Sequence, residues 1–162
     1  TVSNVIKNFK EVEKVYKQGK EYYDKLQAVN NLVKDARKVQ QTVLLVGDVS
    51  EMYVTNFGKM MNDPNFSAQE LAAISNGYSA LLNESTELLK ELKQIVTSSS
   101  LSLNDKERMD IIDRVYKEVK EYHSLVRYYT NKNISVSILR AKKQNNTKRV
   151  LDLYGTPNQK YW

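Results

Sequence analysis

The chain has 162 residues, a formal net charge of +6, no cysteine, two prolines and five glycines. The missing cysteine excludes disulfides and thiolate zinc sites, and the absence of any run of about 18 apolar residues argues against a membrane-spanning helix. So few breakers, in a sequence filled with Lys, Glu, Leu, Gln and Ala, predict long helices within one domain, residues 1–162.

The spacing predicts a first helix over 4–62. Val5, Phe9, Val12, Tyr16, Gly19, Tyr23 and Leu26 recur at three- and four-residue steps, and Val29, Val33, Ala36 and Val43 continue the stripe. That is the pattern of an amphipathic helix or a coiled-coil seam. The apolar run Val43-Leu44-Leu45-Val46-Gly47 either bends the helix at Gly47-Asp48 or is covered on all sides. Asn62-Asp63-Pro64-Asn65 ends the helix, because proline disfavours helical geometry before it and Asn and Asp favour turns. Ser67-Ala68-Gln69-Glu70 is a capping box, with Phe66 and Leu71 at the positions of a hydrophobic staple. It starts a second helix over 67–97, with Leu71, Ile74, Tyr78, Leu82, Leu88, Leu92 and Ile95 among its apolar residues.

Asn104, or alternatively Ser102, caps a third helix over 104–130, whose stripe is Ile112, Val115, Tyr116, Val119, Tyr122, Val126 and Tyr129. Thr130-Asn131-Lys132-Asn133 are weak helix formers, so a break or a strained continuation is expected near 130–134. A fourth segment follows over 135–154, ended by Gly155 and Pro157, with a tail over 155–162. The expected fold class is all-α: an elongated antiparallel bundle of long, coiled-coil-like helices, three of them principal. The second helix has about half the expected length of the first. The remainder of the first stripe then needs the fourth segment, a partner or a second copy to cover it.

No reactive constellation accompanies these helices. His123 is the only histidine, and no Glu-x-x-His pair accompanies it. It reads as a surface or boundary residue. Neither a nucleophile elbow nor a phosphate-cradling glycine loop is present. Asp105, Glu107, Asp110 and Asp113 fall at the start of a helix, where the macrodipole favours negative charge without any metal. The expectation is a protein without catalysis, metal or cofactor.

Charge is unevenly placed. Residues 1–40 carry nine basic and five acidic side chains, residues 41–121 eight and thirteen, and residues 122–151 seven and none. The last stretch holds Arg127, Lys132, Arg140, Lys142, Lys143, Lys148 and Arg149, with Tyr128 and Tyr129 among them. Basic side chains interleaved with aromatics suit phosphates and stacked bases, so binding of single-stranded DNA or another nucleic acid is one reading. A solvated face, a face docked on an acidic neighbour and a face on an anionic membrane surface are the others. Most of the eleven tyrosines fall on the apolar stripes and read as packing residues. Tyr161 and Trp162 lie on the tail, where they either tuck back or anchor a partner.

Several segments resemble a known family. Asn8-Phe9-Lys10-Glu11-Val12 leads to Val15-Tyr16-Lys17-Gln18-Gly19-Lys20-Glu21-Tyr22-Tyr23, and Asn31-Leu32-Val33-Lys34-Asp35-Ala36-Arg37-Lys38-Val39-Gln40-Gln41-Thr42 follows. Leu103-Asn104-Asp105-Lys106-Glu107-Arg108-Met109-Asp110, Tyr128-Tyr129-Thr130-Asn131-Lys132-Asn133-Ile134-Ser135, Leu153-Tyr154-Gly155 and Lys160-Tyr161-Trp162 come later. Together they resemble the conjugative-transposon transfer proteins of Bacteroidetes, similar in type to the TrbJ-like, minor-pilin class of type IV secretion components. The resemblance covers nearly the whole chain in order. It implies a structural part in a mating channel or pilus, with other conjugation and secretion proteins as partners, and no catalysis or cofactor. It also implies a periplasmic or cell-surface location, with an export signal expected ahead of Thr1. Self-association fits the same picture. The resemblance carries no site residues; from the residues themselves, the apolar stripe over 5–43, with Phe9, Tyr16 and Tyr23, and the tail residues Tyr161 and Trp162 are the candidate partner surface.

Overall fold

A computed structural model describes residues 36–97 and 105–155. These form four helices: α1 (Ala36–Met61), α2 (Ala68–Thr97), α3 (Asp105–Lys143) and α4 (Thr147–Tyr154). No strand occurs among the described residues. The predicted helical stretch 4–35, the proposed caps Ser102 and Asn104, and the tail beyond Gly155 lie outside them. So does the part of the first helix on which the expected length mismatch rests.

The side-chain bonds define how the helices run. Between α1 and α3, Lys38 meets Asp113, Asp48 meets His123 and Asp63 (just past α1) meets Ser137, over sequence separations of 75, 75 and 74. A constant separation means two parallel helices in register. Between α2 and α3 the separation grows from 23 at Glu91–Arg114 through 55 at Ile74–Tyr129 to 70 at Glu70–Arg140. A growing separation means antiparallel helices. The order is therefore up, down, up, as short turns between long helices require.

Two apolar clusters fill the interior. The one nearer the α1–α2 turn joins Met52, Tyr53, Phe57 and Met60 to Ile74, Tyr78 and Leu82, to Val126 and Ile134, and to Val150 and Tyr154 of α4. The other joins Val39, Val43 and Val46 to Leu88, Leu92 and Ile95, and to Ile112, Val115 and Val119. Asp48 and His123 stand at the divide on their respective helices, with His123 Nε2 and Asp48 Oδ2 2.5 Å apart. The lone histidine is thus a half-buried boundary residue. Four of the buried polar side chains inside the helices turn back on their own backbone. Thr42, Ser50, Asn56 and Ser85 each donate to the carbonyl four residues earlier, which satisfies them without a partner helix.

The turn after α1 forms where proline and its neighbours placed it. Asn65 N donates to Asp63 Oδ1 at 2.9 Å, an Asx turn. The capping box is present in both directions: Glu70 N donates to Ser67 Oγ and Ser67 N to Glu70 Oε1, each at 3.1 Å. Phe66 and Leu71 both join the cluster beneath. α1 continues unbroken through Gly47-Asp48, and Leu44 is half-exposed, so the apolar run there is not covered on all sides.

One boundary differs from expectation. α3 is continuous through 130–134 and ends at Lys143. Thr130 has a partner on α2 and Asn133 one within α3, whereas Asn131 Oδ1 is buried without a hydrogen bond. Thr130 Oγ1 lies 2.6 Å from the Tyr78 hydroxyl, Asn133 Nδ2 donates to Tyr129 O and Ser135 Oγ to Asn131 O. Tertiary contact thereby overrides propensity. The break falls instead at Gln144–Asn146. Asn145 takes φ 54°, Asn146 N donates to Ala141 O at 2.9 Å and Asn145 N to Lys142 O at 3.3 Å. That pair of bonds is a Schellman motif with asparagine in the left-handed position usually held by glycine. The expected fourth segment, 135–154, is therefore divided between α3 and α4. α4 stops at Gly155, φ 90°, as its sequence predicts.

Candidate interaction surface

The outer side of α3 carries the most distinctive exposed surface. Leu125, Tyr128, Lys132, Ser135, Leu139 and Lys142 follow one another by three, four, three, four and three residues. This places them on one line along the helix. All six are exposed. Leu125 is 48%, Tyr128 63% and Leu139 60% exposed, and these are three of the five large hydrophobic side chains exposed among the described residues. Single exposed leucines need no explanation, whereas three on one seam form a patch. Lys132 Nζ sits 5.9 Å from the centre of the Tyr128 ring, within reach of its negative face.

The residues singled out from the sequence divide among several positions. Arg127, Lys132, Lys142 and Lys143 are exposed on α3, and Lys148 and Arg149 on α4. Arg149 lines a cleft of about 250 Å³ between α4 and the α1–α2 turn, together with Asn62, Pro64 and Leu153. Arg140 belongs elsewhere. Its Nη1 donates to Glu70 Oε1 and to Asn65 O, and its Nη2 to Glu70 Oε2, at 2.9, 2.6 and 2.7 Å. The charge run therefore yields an outer patch and one clamp between α2 and α3, itself partly exposed. Tyr128 and Tyr129 also part company. Tyr129 turns inward, its ring 4.9 Å from Tyr78 at 85°, and its hydroxyl donates to Ile74 O. Phe9, Tyr16, Tyr23, Tyr161 and Trp162 lie outside the described residues.

The clamp sets an acid response. The Arg140 bonds first, and then the Ser67 N–H, pull the Glu70 carboxyl down from 4.5 to about 2. A carboxylate whose folded pKa is depressed contributes stability above its unfolded value and loses it as pH falls toward the folded value. Between pH 4.5 and 2 the melting temperature of the protein is expected to fall more steeply than that of Glu70→Gln. Parallel profiles for the two proteins would remove the clamp from the acid limb.

Sequence reasoning missed Asp63 as anything but a turn residue. Its carboxylate is 3% exposed and accepts from Ser137 Oγ at 2.5 Å and Tyr154 OH at 2.7 Å, besides the Asn65 N–H. It thus ties the turn to α3 and α4. Burial, then the bond to Asp63, raises the Tyr154 phenol far above its ordinary value. Among the described residues no group of three or more His, Asp or Glu side chains is placed to hold a metal, and no helix is long and apolar enough to cross a membrane. No protein-family model matches the chain, and no curated protein or solved structure matches it.

Proposed function

We propose that this protein is a non-enzymatic, elongated helical-bundle component of a conjugative DNA-transfer apparatus, working by surface contact at the periplasmic or cell-surface side. The observation that carries the contact reading is the outer α3 seam, where Leu125, Tyr128 and Leu139 remain exposed between lysines. Apolar side chains gain about 25 cal/mol per Å² when such a surface is covered, less the ordering cost of association. The ion pairs and buried carboxylate named above, by contrast, join one helix to another within the bundle. Conjugation as the setting is supported by the sequence resemblance of the segments that run from Asn8 to Trp162. Other transfer-system proteins and further copies of the chain are the partners this reading supplies.

The test is a mating assay with donors that lack the gene and are complemented in trans. Wild type is expected to restore transfer. Leu125→Asp with Leu139→Asp is expected to restore it at least tenfold less well while circular dichroism shows unchanged helix content. Donors that transfer DNA normally without the protein would end the conjugative reading.

A further inference from the structure

We propose that the outer face of α3 from Leu125 to Lys143 rests on an anionic lipid surface. Leu125, Tyr128 and Leu139 enter the headgroup region, while Lys132, Lys142 and Lys143 meet lipid phosphates. The inference rests on the reading of this seam as the contact surface and names what it contacts.

The seam has the composition of a helix lying in a membrane interface: apolar and aromatic side chains on one line with lysines beside them. Lysine stems lie along apolar surface while their ammonium groups reach outward to charge. The charge has one sign here. From Tyr122 to Leu151 the sequence contains no acidic residue. Arg140, the one lysine or arginine of α3 in this stretch that an ion pair holds among the described residues, is clamped to Glu70 away from the seam. Shape agrees with the chemistry. A line of side chains running about 25 Å along a helix, at about 1.5 Å per residue, meets a plane along its whole length. The opposite side of the same helix is fastened into the core through Val126, Ile134 and Ala141, so the face is presented by a rigid element.

Nucleic acid accounts for less of the surface. A single strand would use the lysines and stack on Tyr128, but Leu125 and Leu139 would stand against it with nothing to bury them. An anionic bilayer uses both sets of side chains, because polybasic attraction and apolar insertion act together there.

The test is co-sedimentation of the whole protein with vesicles of phosphatidylcholine alone and of phosphatidylcholine mixed with phosphatidylglycerol. Binding is expected to the mixed vesicles, to weaken with added salt and to be slight on the neutral ones. Lys132→Gln, Lys142→Gln and Lys143→Gln together are expected to cost roughly hundredfold in affinity. Leu125→Ser with Leu139→Ser is expected to cost at least about tenfold. All five side chains are exposed, and circular dichroism checks the fold. If the leucine pair disturbs it, the three-lysine variant carries the comparison.

No binding to the mixed vesicles overturns the proposal, as does unchanged binding by a folded variant of either kind. A single-stranded oligonucleotide that binds more tightly than the mixed vesicles and strips the protein from them assigns the face to nucleic acid instead. The outcomes separate from the mating assay. Protein-dependent transfer without vesicle binding removes only the lipid contact, and vesicle binding in a protein dispensable for transfer removes only the conjugative role.

Discussion

Asp63→Ala is expected to lower the free energy of unfolding by about 2–4 kcal/mol, a large share of the total for a domain of this size. The carboxylate is nearly sealed from water and accepts from Ser137 Oγ, Tyr154 OH and Asn65 N. Alanine removes the acceptor and leaves all three donors. The Ser137 side chain is fully buried and Tyr154 only 4% exposed, so water does not readily replace what is lost. A buried donor without a partner costs about 1–3 kcal/mol. Relief from holding a charge in a low dielectric offsets part of this, which is why the expected figure falls short of the sum.

Tyr154→Phe supplies the comparison. It deletes one donor, keeps the ring in the core and leaves the carboxylate bonded to Ser137 and Asn65, at a cost of about 1 kcal/mol. Urea unfolding of both variants and the double mutant measures the coupling. A non-additive cycle is expected, because the Asp63–Tyr154 bond that Tyr154→Phe removes is already broken once Asp63 is gone. If Asp63→Ala unfolds at the wild-type midpoint, the carboxylate does not fasten α4 to the bundle.

Asp63 also marks where reading the sequence stopped. Its local role was legible, since Asn62-Asp63-Pro64-Asn65 has turn chemistry in itself. Its other partners are 74 and 91 residues away, and no local pattern encodes them. The same division recurs along the chain. The capping box at Ser67 and Glu70 satisfies local donors and could be read from four residues. The bonds that Arg140 makes to Glu70 from α3 could not, and by local pattern Arg140 belongs to the basic run. Propensity alone predicts a break at Thr130, whereas the Tyr78 hydroxyl that sustains the helix there comes from α2. Asn145-Asn146 carries the local signal for the break, for asparagine is the residue besides glycine that most readily takes the left-handed conformation closing a helix. The outer seam was legible in principle. Its three- and four-residue steps are present in the sequence, but charge dominates the stretch and masks Leu125 and Leu139.

Gly77→Ala is expected to destabilise the protein by about 1–3 kcal/mol, although alanine is the better helix former. The reason is a close approach between α2 and α3. A Cβ at position 77 would collide with the Tyr129 hydroxyl and lie 2.6 Å from Tyr129 Cζ and 3.3 Å from Cε1. The ring cannot simply swing aside. Its hydroxyl donates to Ile74 O at 3.1 Å, and its face is set edge-on to Tyr78, which stacks on Tyr53 at 4.6 Å. Moving Tyr129 therefore disturbs three rings and the Tyr78–Thr130 bond, and moving α2 disturbs the cluster beneath it. Gly58 provides the opposite case within the same fold. Nothing lies within 4 Å of a Cβ built there, so Gly58→Ala is expected to stabilise by about 0.5–1 kcal/mol through backbone entropy alone. Denaturant midpoints of the two variants should move in opposite directions. Tyr129→Leu should then blunt the effect of Gly77→Ala, because a shorter side chain leaves space for the methyl. A Gly77→Ala protein stabilised as much as Gly58→Ala would show that α2 and α3 do not approach as closely as the Tyr129 ring over Gly77 requires.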